Sequence, residues 1–93
     1  GPRTADRGEH GAMTADELRE IFLEELVAVA PDLKGETIPP DAHLQDDLDL
    51  DSMDVVALVA ALHRRLGAEI PESDYGALAT PESAADYLAA RVS

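Results

Sequence analysis

The segment Asp46-Asp47-Leu48-Asp49-Leu50-Asp51-Ser52-Met53-Asp54 concentrates the reactive side chains of this chain: five carboxylates surround one serine that stands where an apolar helical pattern begins. A hydroxyl at a helix N-terminus has unpaired backbone N–H groups and the positive end of the helix dipole beside it. Both favour an attached anion, so Ser52 reads as an attachment point for a phosphodiester. Asp51 and Asp54 pull the other way, because they repel a phosphate. A group attached at Ser52 is therefore expected to point outward into water, where that repulsion is screened. The alternative is a serine that only caps its helix, a role it shares with Asp and Asn.

Other chemistries fit these residues less well. Asp47, Asp49 and Asp51 match the first three ligand positions of a calcium-binding loop, but its sixth position holds Ser52 in place of glycine and its twelfth Leu58 in place of glutamate. His43 with Asp46 and Asp47 can be drawn as a metal cluster, yet a single imidazole in a polar loop reads as solvated. His63, near a helix C-terminus, suits the dipole and reads as a capping or interaction residue. Serine hydrolysis lacks both a Gly-x-Ser-x-Gly turn and a histidine placed to serve Ser52. Paired-carboxylate glycoside chemistry needs a cleft that so short a chain cannot easily build. No residue is assigned to catalysis or to a resident metal.

The elements that position Ser52 follow from apolar spacing and punctuation. Thr14 and Glu17 have capping-box spacing, and Leu18, Ile21, Phe22, Leu26 and Val29 then share a helical face, with Glu25 at its edge. Pro31 ends that pattern. From there to Leu50, Gly35, Pro39 and Pro40 predict a long loop pinned by Leu33, Ile38, Leu44 and Leu48, with a short turn around residues 41–44. The second helix is predicted over Ser52–Leu66, with Asp51 or Ser52 at the N-cap, Gly67 as the stop, and Val55, Val59, Leu62 and Leu66 facing inward. A short helix is predicted over Glu72–Ala77, between core anchors Ile70 and Leu78. A last helix opens on Thr80 and Pro81, with Ala84, Ala85, Leu88 and Val92 inward. Phe22, Tyr75 and Tyr87 read as core or core-edge residues. The fold class is all-α, with three main helices and one short one.

Composition bounds the function. The chain has 93 residues, enough for one domain with a small core. Twenty acids against seven bases give a formal charge of −13, which repels nucleic acid and anionic lipid. Without cysteine there is neither disulfide nor thiolate chemistry, and no apolar run reaches the roughly 18 residues that span a membrane. Residues 1–12 read as a flexible leader in which Gly1-Pro2 has the form of a protease-cleavage scar, Met13 as the natural start, and residues 13–93 as the functional domain. With no secretory signal, the cytoplasm is the expected compartment.

Asp51-Ser52-Met53, preceded by Asp47-Leu48-Asp49-Leu50, resembles the cofactor-attachment motif of acyl carrier proteins, whose usual form is Asp-Ser-Leu after Asp-Leu-Gly-x. Val55, Val56 and Val59 follow. Leu66-Gly67-x-x-Ile70-Pro71, Leu78-x-Thr80 and Asp86-Tyr87-Leu88 then stand at spacings similar to that family's, so the resemblance runs from Thr14 to Ser93. It implies an acyl-carrier-like four-helix bundle with a long loop after the first helix, and a carrier that is not an enzyme. It further implies a 4'-phosphopantetheine arm, taken from coenzyme A, on Ser52. Asp51 would assist the metal-dependent transfer of that arm, and acyl groups would ride on it as thioesters.

Two departures shape the expected pathway. Asp49 stands where fatty-acid carriers usually have glycine, a wording closer to carriers of specialised pathways. Ala57, His63 and Arg64 occupy the outer face of the second helix, where fatty-acid carriers often place glutamates. The reading is a carrier for a polyketide, lipid or related specialised pathway. Its expected partners are a phosphopantetheinyl transferase and loading, condensing or tailoring enzymes with apolar or basic docking surfaces. These would engage Met53, Val56, Ala57, Ala60 and Arg64 on a monomer. Leu50-Asp51-Ser52-Met53 also matches the Leu-Asp-Ser-Met of D-alanine carriers, which keeps an aminoacyl carrier open, whereas the Gly-Gly-x-Ser of peptidyl carriers is missing. A non-enzymatic acidic interaction module without the arm is the remaining alternative.

Overall fold

The computed structural model describes residues 14–92, so the leader read over residues 1–12 lies outside the described residues. Helix α1 spans Ala15–Val29 and starts at the expected capping box: Thr14 Oγ1 accepts the Glu17 N–H, and the Thr14 N–H donates to Glu17 Oε1 at 2.9 Å. Leu18, Phe22 and Leu26 are fully buried, while Ile21 and Val29 pack at the core edge. The Ala30 N–H closes the helix on the Leu26 carbonyl, and Pro31 opens a single 3-10 turn over Pro31–Leu33.

The following loop is long, as expected, and has more anchors than the spacing suggested. Leu44 is buried, and Leu33, Ile38 and Leu48 pack partly buried, but Ala42 and Leu50 are buried as well. Backbone bonds stitch the loop to the far end of the chain: the Leu44 N–H donates to the Ala79 carbonyl at 2.8 Å, and the Glu82 N–H to Pro40 at 2.9 Å. The Leu50 N–H returns to Leu44 at 3.0 Å, which fixes the approach to the serine.

Helix α2 spans Ser52–Leu66 and stops on Gly67, whose φ of 69° is the left-handed conformation that glycine adopts freely. Its inner face is rotated from the expected one. Leu58, Val59, Ala61 and Leu62 are buried, whereas Val55 and Leu66 are only partly so. Arg65 joins α2 to α1 through Glu25 Oε2 and Glu24 Oε1, each at 2.8 Å. The hydrogen bonds to Glu25 and then Glu24 raise the guanidinium pKa still further. Glu25 thus occupies the edge position its place on the apolar arc required.

The short helix is a 3-10 segment over Glu72–Leu78, tighter and one residue longer than expected. Helix α3 spans Pro81–Val92; Thr80 Oγ1 accepts the Ser83 N–H at 3.1 Å, and Ala84, Ala85 and Leu88 are buried. Tyr87 on α3 donates its hydroxyl to Asp74 Oδ2 at 2.7 Å, and Arg91 lies 5.5 Å from the centre of the Tyr87 ring. The chain is therefore all-α, with no strand among the described residues. Helix α1 packs against both α3 and α2, and the 3-10 segment leans on α3. Between α2 and that segment a cleft is left.

Candidate functional site

Asp51, not Ser52, caps α2. Its backbone is extended, its Oδ1 accepts the Asp54 N–H at 2.9 Å, and its own N–H donates back to Asp54 Oδ2 at 3.2 Å. This reciprocal box leaves Ser52 at the first helical position, exposed, with a hydroxyl that has no partner among the described residues. The backbone N–H groups of Ser52 and Met53 are likewise unpaired there, in keeping with the orphan donors of a helix start. A nucleophilic or esterified oxygen at this point costs the fold no hydrogen bond.

Three of the motif acids line a different cleft from that hydroxyl. Asp47, Asp49 and Asp54 line a polar cleft of about 450 Å³ that also takes in Asp32 and Glu36 near the end of α1. Ser52 lines a different cleft, of about 290 Å³, whose walls are the turn at residues 43–45, the first turn of α2 and the 3-10 segment. Leu44, Val55, Val56 and Leu78 make that second cleft mostly apolar, with His43, Gln45 and Glu72 as its polar members. Among the described residues no three histidine or carboxylate side chains converge to hold an ion.

Asp49 has φ 61°, a left-handed conformation that glycine enters without cost and Asp tolerates better than most residues. The departure from the Asp-Leu-Gly-x pattern thus falls at a position whose backbone accounts for glycine elsewhere.

His43 keeps 39% of its side chain exposed, in line with a solvated ring, and in addition it organises its turn. Its Nδ1 accepts the N–H groups of Gln45 and Asp46 at 3.3 and 3.2 Å, while its backbone N–H donates to Asp47 Oδ2 at 2.8 Å. Nδ1 is therefore the unprotonated nitrogen. His63 has the opposite tautomer, because its Nδ1 lies 3.2 Å from the Ala68 carbonyl, which can only accept. Of the interaction or capping role expected, the ring makes the interaction: it bridges the Gly67 turn to a carbonyl beyond the helix. The part of His43 was missed because a histidine cap of a short turn has no sequence signature comparable to Ser, Thr, Asp or Asn.

All five residues of the expected docking arc lie on the surface: Met53 is 70% exposed, Val56 is 45% exposed, and Ala57, Ala60 and Arg64 are exposed. Val56, Ala60 and Arg64 line a more open groove of about 480 Å³, together with Val59, His63, Glu69, Ile70 and Tyr75. The spacing placed these side chains on one face of α2. The groove beside them is formed by residues 69–75, which the sequence of α2 alone could not reveal.

Comparison with known proteins agrees with this geometry. Residues 16–88 match the family described as "Phosphopantetheine attachment site". The chain is 40% identical over 91 residues to an acyl carrier protein of Streptomyces coelicolor, covering 98% of this chain and 90% of that protein. It is 37% identical over 70 residues to an acyl carrier protein of Syntrophobacter fumaroxidans, covering 75% and 86%. A third acyl carrier protein, of Rubrobacter xylanophilus, is 33% identical over 73 residues, covering 75% and 90%. The protein is accordingly a carrier and not an enzyme, and the chain belongs to the acyl carrier protein family.

Proposed function

We propose that Ser52 carries a 4'-phosphopantetheine arm and that the chain shuttles acyl intermediates between the enzymes of a polyketide, lipid or related specialised pathway in the cytoplasm. The observation that carries the attachment is the division of labour at the start of α2: Asp51 does the capping and Ser52 keeps an unpartnered, exposed hydroxyl. In the transfer, the Ser52 oxygen attacks the pantetheine-side phosphorus of coenzyme A. An O–P bond forms to Ser52, the bond to the adenosine-side phosphate breaks, and the hydroxyl proton passes to a base of the transferase. The arm, once attached, supplies a thiol that holds acyl groups as thioesters. Asp51 retains a second carboxylate oxygen beyond the one that caps the helix, and this oxygen faces the role of helping to hold the divalent ion during transfer.

Tethering raises the effective concentration of the cargo at each partner enzyme. Met53, Val56, Ala57, Ala60 and Arg64 form the docking surface of the monomer, since an enzyme reaching for the arm must approach beside Ser52. The pathway assignment is supported by Asp49 and by Ala57, His63 and Arg64 standing in place of the residues usual in fatty-acid carriers. Among the described residues no helix is long and apolar enough to cross a membrane.

Incubation with coenzyme A and a broad-specificity transferase, followed by intact mass, tests the attachment: one arm is expected on the wild type and none on Ser52→Ala. An equal gain on both proteins would place the arm elsewhere. Ala60→Glu tests docking, with unchanged helicity and weakened affinity for a pathway enzyme as the expected result. Full affinity in that variant would move the docking surface off α2.

A further inference from the structure

The imidazole of His43 has one edge engaged and one edge free. Its Nδ1 accepts the N–H groups of Gln45 and Asp46, so the proton of the neutral ring sits on Nε2. That Nε2–H has no partner among the described residues. The same ring lines the cleft of about 290 Å³ that Ser52 also lines. We propose that His43 holds the phosphate of the arm, its Nε2–H donating to a free oxygen of the phosphodiester at Ser52. The inference rests on Ser52 being the attachment site and adds a positioning residue for the attached group, drawn from the loop and not from the motif.

Charge and turn geometry single out this ring. A phosphodiester is an anion, and Asp51 and Asp54 on either side of Ser52 and Met53 oppose it, so a donor close by offsets part of that repulsion. No lysine or arginine lines the cleft, which makes His43 its one side chain able to gain positive charge. Glu72 and Tyr75 face it from the 3-10 segment, and the first turn of α2 contributes Ser52, Val55 and Val56. Glu72 repels a phosphate and limits the strength of the hold. Gln45 can donate as well, but no hydrogen bond fixes its side chain. Within the turn, Asp47 is tied to the His43 backbone N–H at 2.8 Å, and Asp46 Oδ2 stands 3.8 Å from Nδ1. Protonation therefore exchanges the two backbone bonds at Nδ1 for a pairing with Asp46, while the Nε2–H is present in both states. The hold on the phosphate is that of a neutral donor at alkaline pH and becomes charge-assisted where histidine gains its second proton, ordinarily near about pH 6.5. A phosphate held at one oxygen restricts the first bonds of the arm, so the arm leaves Ser52 on the side of the turn at residues 43–45.

The test uses the full chain with the arm installed from coenzyme A by a broad-specificity transferase and confirmed by intact mass. Phosphorus NMR follows the diester across about pH 5.5–8, with the His43 Cε1–H signal read in parallel. A diester stays ionised over that range and is silent by itself, whereas histidine titrates within it. The phosphorus signal is therefore expected to move in one step, with the same midpoint as the His43 signal. Exchange of the Nε2 proton with water is expected to slow roughly two- to tenfold when the arm is attached, the range of one net hydrogen bond. His43→Asn keeps a short acceptor for the Gln45 and Asp46 N–H groups, as Asn does in turns, and removes the far edge of the ring. It should retain the melting temperature and lose the phosphorus step, a split that a purely structural histidine would not give. If that variant melts low, the two wild-type readings decide alone. A flat phosphorus trace in the wild type, a step that survives His43→Asn, or unchanged Nε2 exchange would overturn the proposal while leaving the attachment intact. No gain in mass from coenzyme A would overturn the attachment at Ser52, and this inference with it.

Discussion

Replacing Ser52 by Ala should leave the stability of the unmodified protein unchanged or slightly raised, whereas Asp51→Ala should lower it. Asp51 Oδ1 satisfies the Asp54 N–H at 2.9 Å, and loss of such a cap costs about 1 kcal/mol. The lost negative charge at the positive end of α2 adds roughly 0.3–1 kcal/mol at low ionic strength. Relief of repulsion from Asp46, Asp47, Asp49 and Asp54 offsets a few tenths of a kcal/mol, since exposed charges are screened. The net loss is about 1 kcal/mol, or roughly 4–8 °C in Tm for a domain of this size. Ser52 has no such bond to lose, and alanine is the better helix former by up to about 0.5 kcal/mol. Asp51→Asn keeps the acceptor and should stay within about 0.5 kcal/mol of the wild type. Urea and thermal melts followed by far-UV circular dichroism would rank the three variants. If Ser52→Ala melted as low as Asp51→Ala, the serine hydroxyl would be a structural cap, and the reasoning that frees it for attachment would fail.

Asp49→Gly should stabilise the protein by about 1 kcal/mol, because glycine enters the left-handed conformation at φ 61° without the side-chain clash, and its larger unfolded-state entropy takes back only part of the gain; Tm is the readout. Raising monovalent salt from about 10 mM to about 150 mM shortens the Debye length from roughly 30 to 8 Å, so Tm should rise as repulsion within a chain of charge −13 is screened. Burial, and then the hydrogen bond to Asp74, raise the Tyr87 pKa above its ordinary value. The unfolded chain therefore releases this proton first, so the stability it contributes is complete below pH 10 and is lost as pH rises beyond that value. Tyr87→Phe should flatten the alkaline limb of a Tm-versus-pH curve relative to the wild type, and identical limbs would count against the hydrogen bond.

The helix starts were legible because capping is local stereochemistry: Thr14 with Glu17, Asp51 ahead of α2 and Thr80 with Pro81 all sit where short-range hydrogen bonding puts them. The rotation of α2 was not. Residues 55–62 are apolar without a break, so periodicity left several inner faces available. Burial of Leu58 reflects the core cluster it joins, which includes the loop anchors Leu44 and Leu50, residues distant from it in sequence. Loop anchors such as Ala42 and Leu50 carry no period at all. The cleft at Ser52 was beyond reach for the same reason: its walls come from three separated segments, which only the Leu44 to Ala79 backbone bond and the 3-10 segment bring together.

The choice of cap residue bears directly on the availability of the serine. A serine at the N-cap would turn its oxygen toward backbone N–H groups of its own first turn, where it would be both engaged and sterically covered. With Asp51 in that role, the next residue starts the helix, and its side chain need not fold back. Asp54 completes the arrangement by accepting the Asp51 N–H, so the two carboxylates nearest the serine are tied to backbone donors and neither accepts the serine proton. Carboxylates that the sequence alone presents as a source of repulsion thus also hold the approach to α2 in one geometry. Of the remaining motif acids, Asp46 is exposed and Asp47 and Asp49 line the cleft on the side of α1, which leaves the mostly apolar cleft as the space adjoining the Ser52 oxygen.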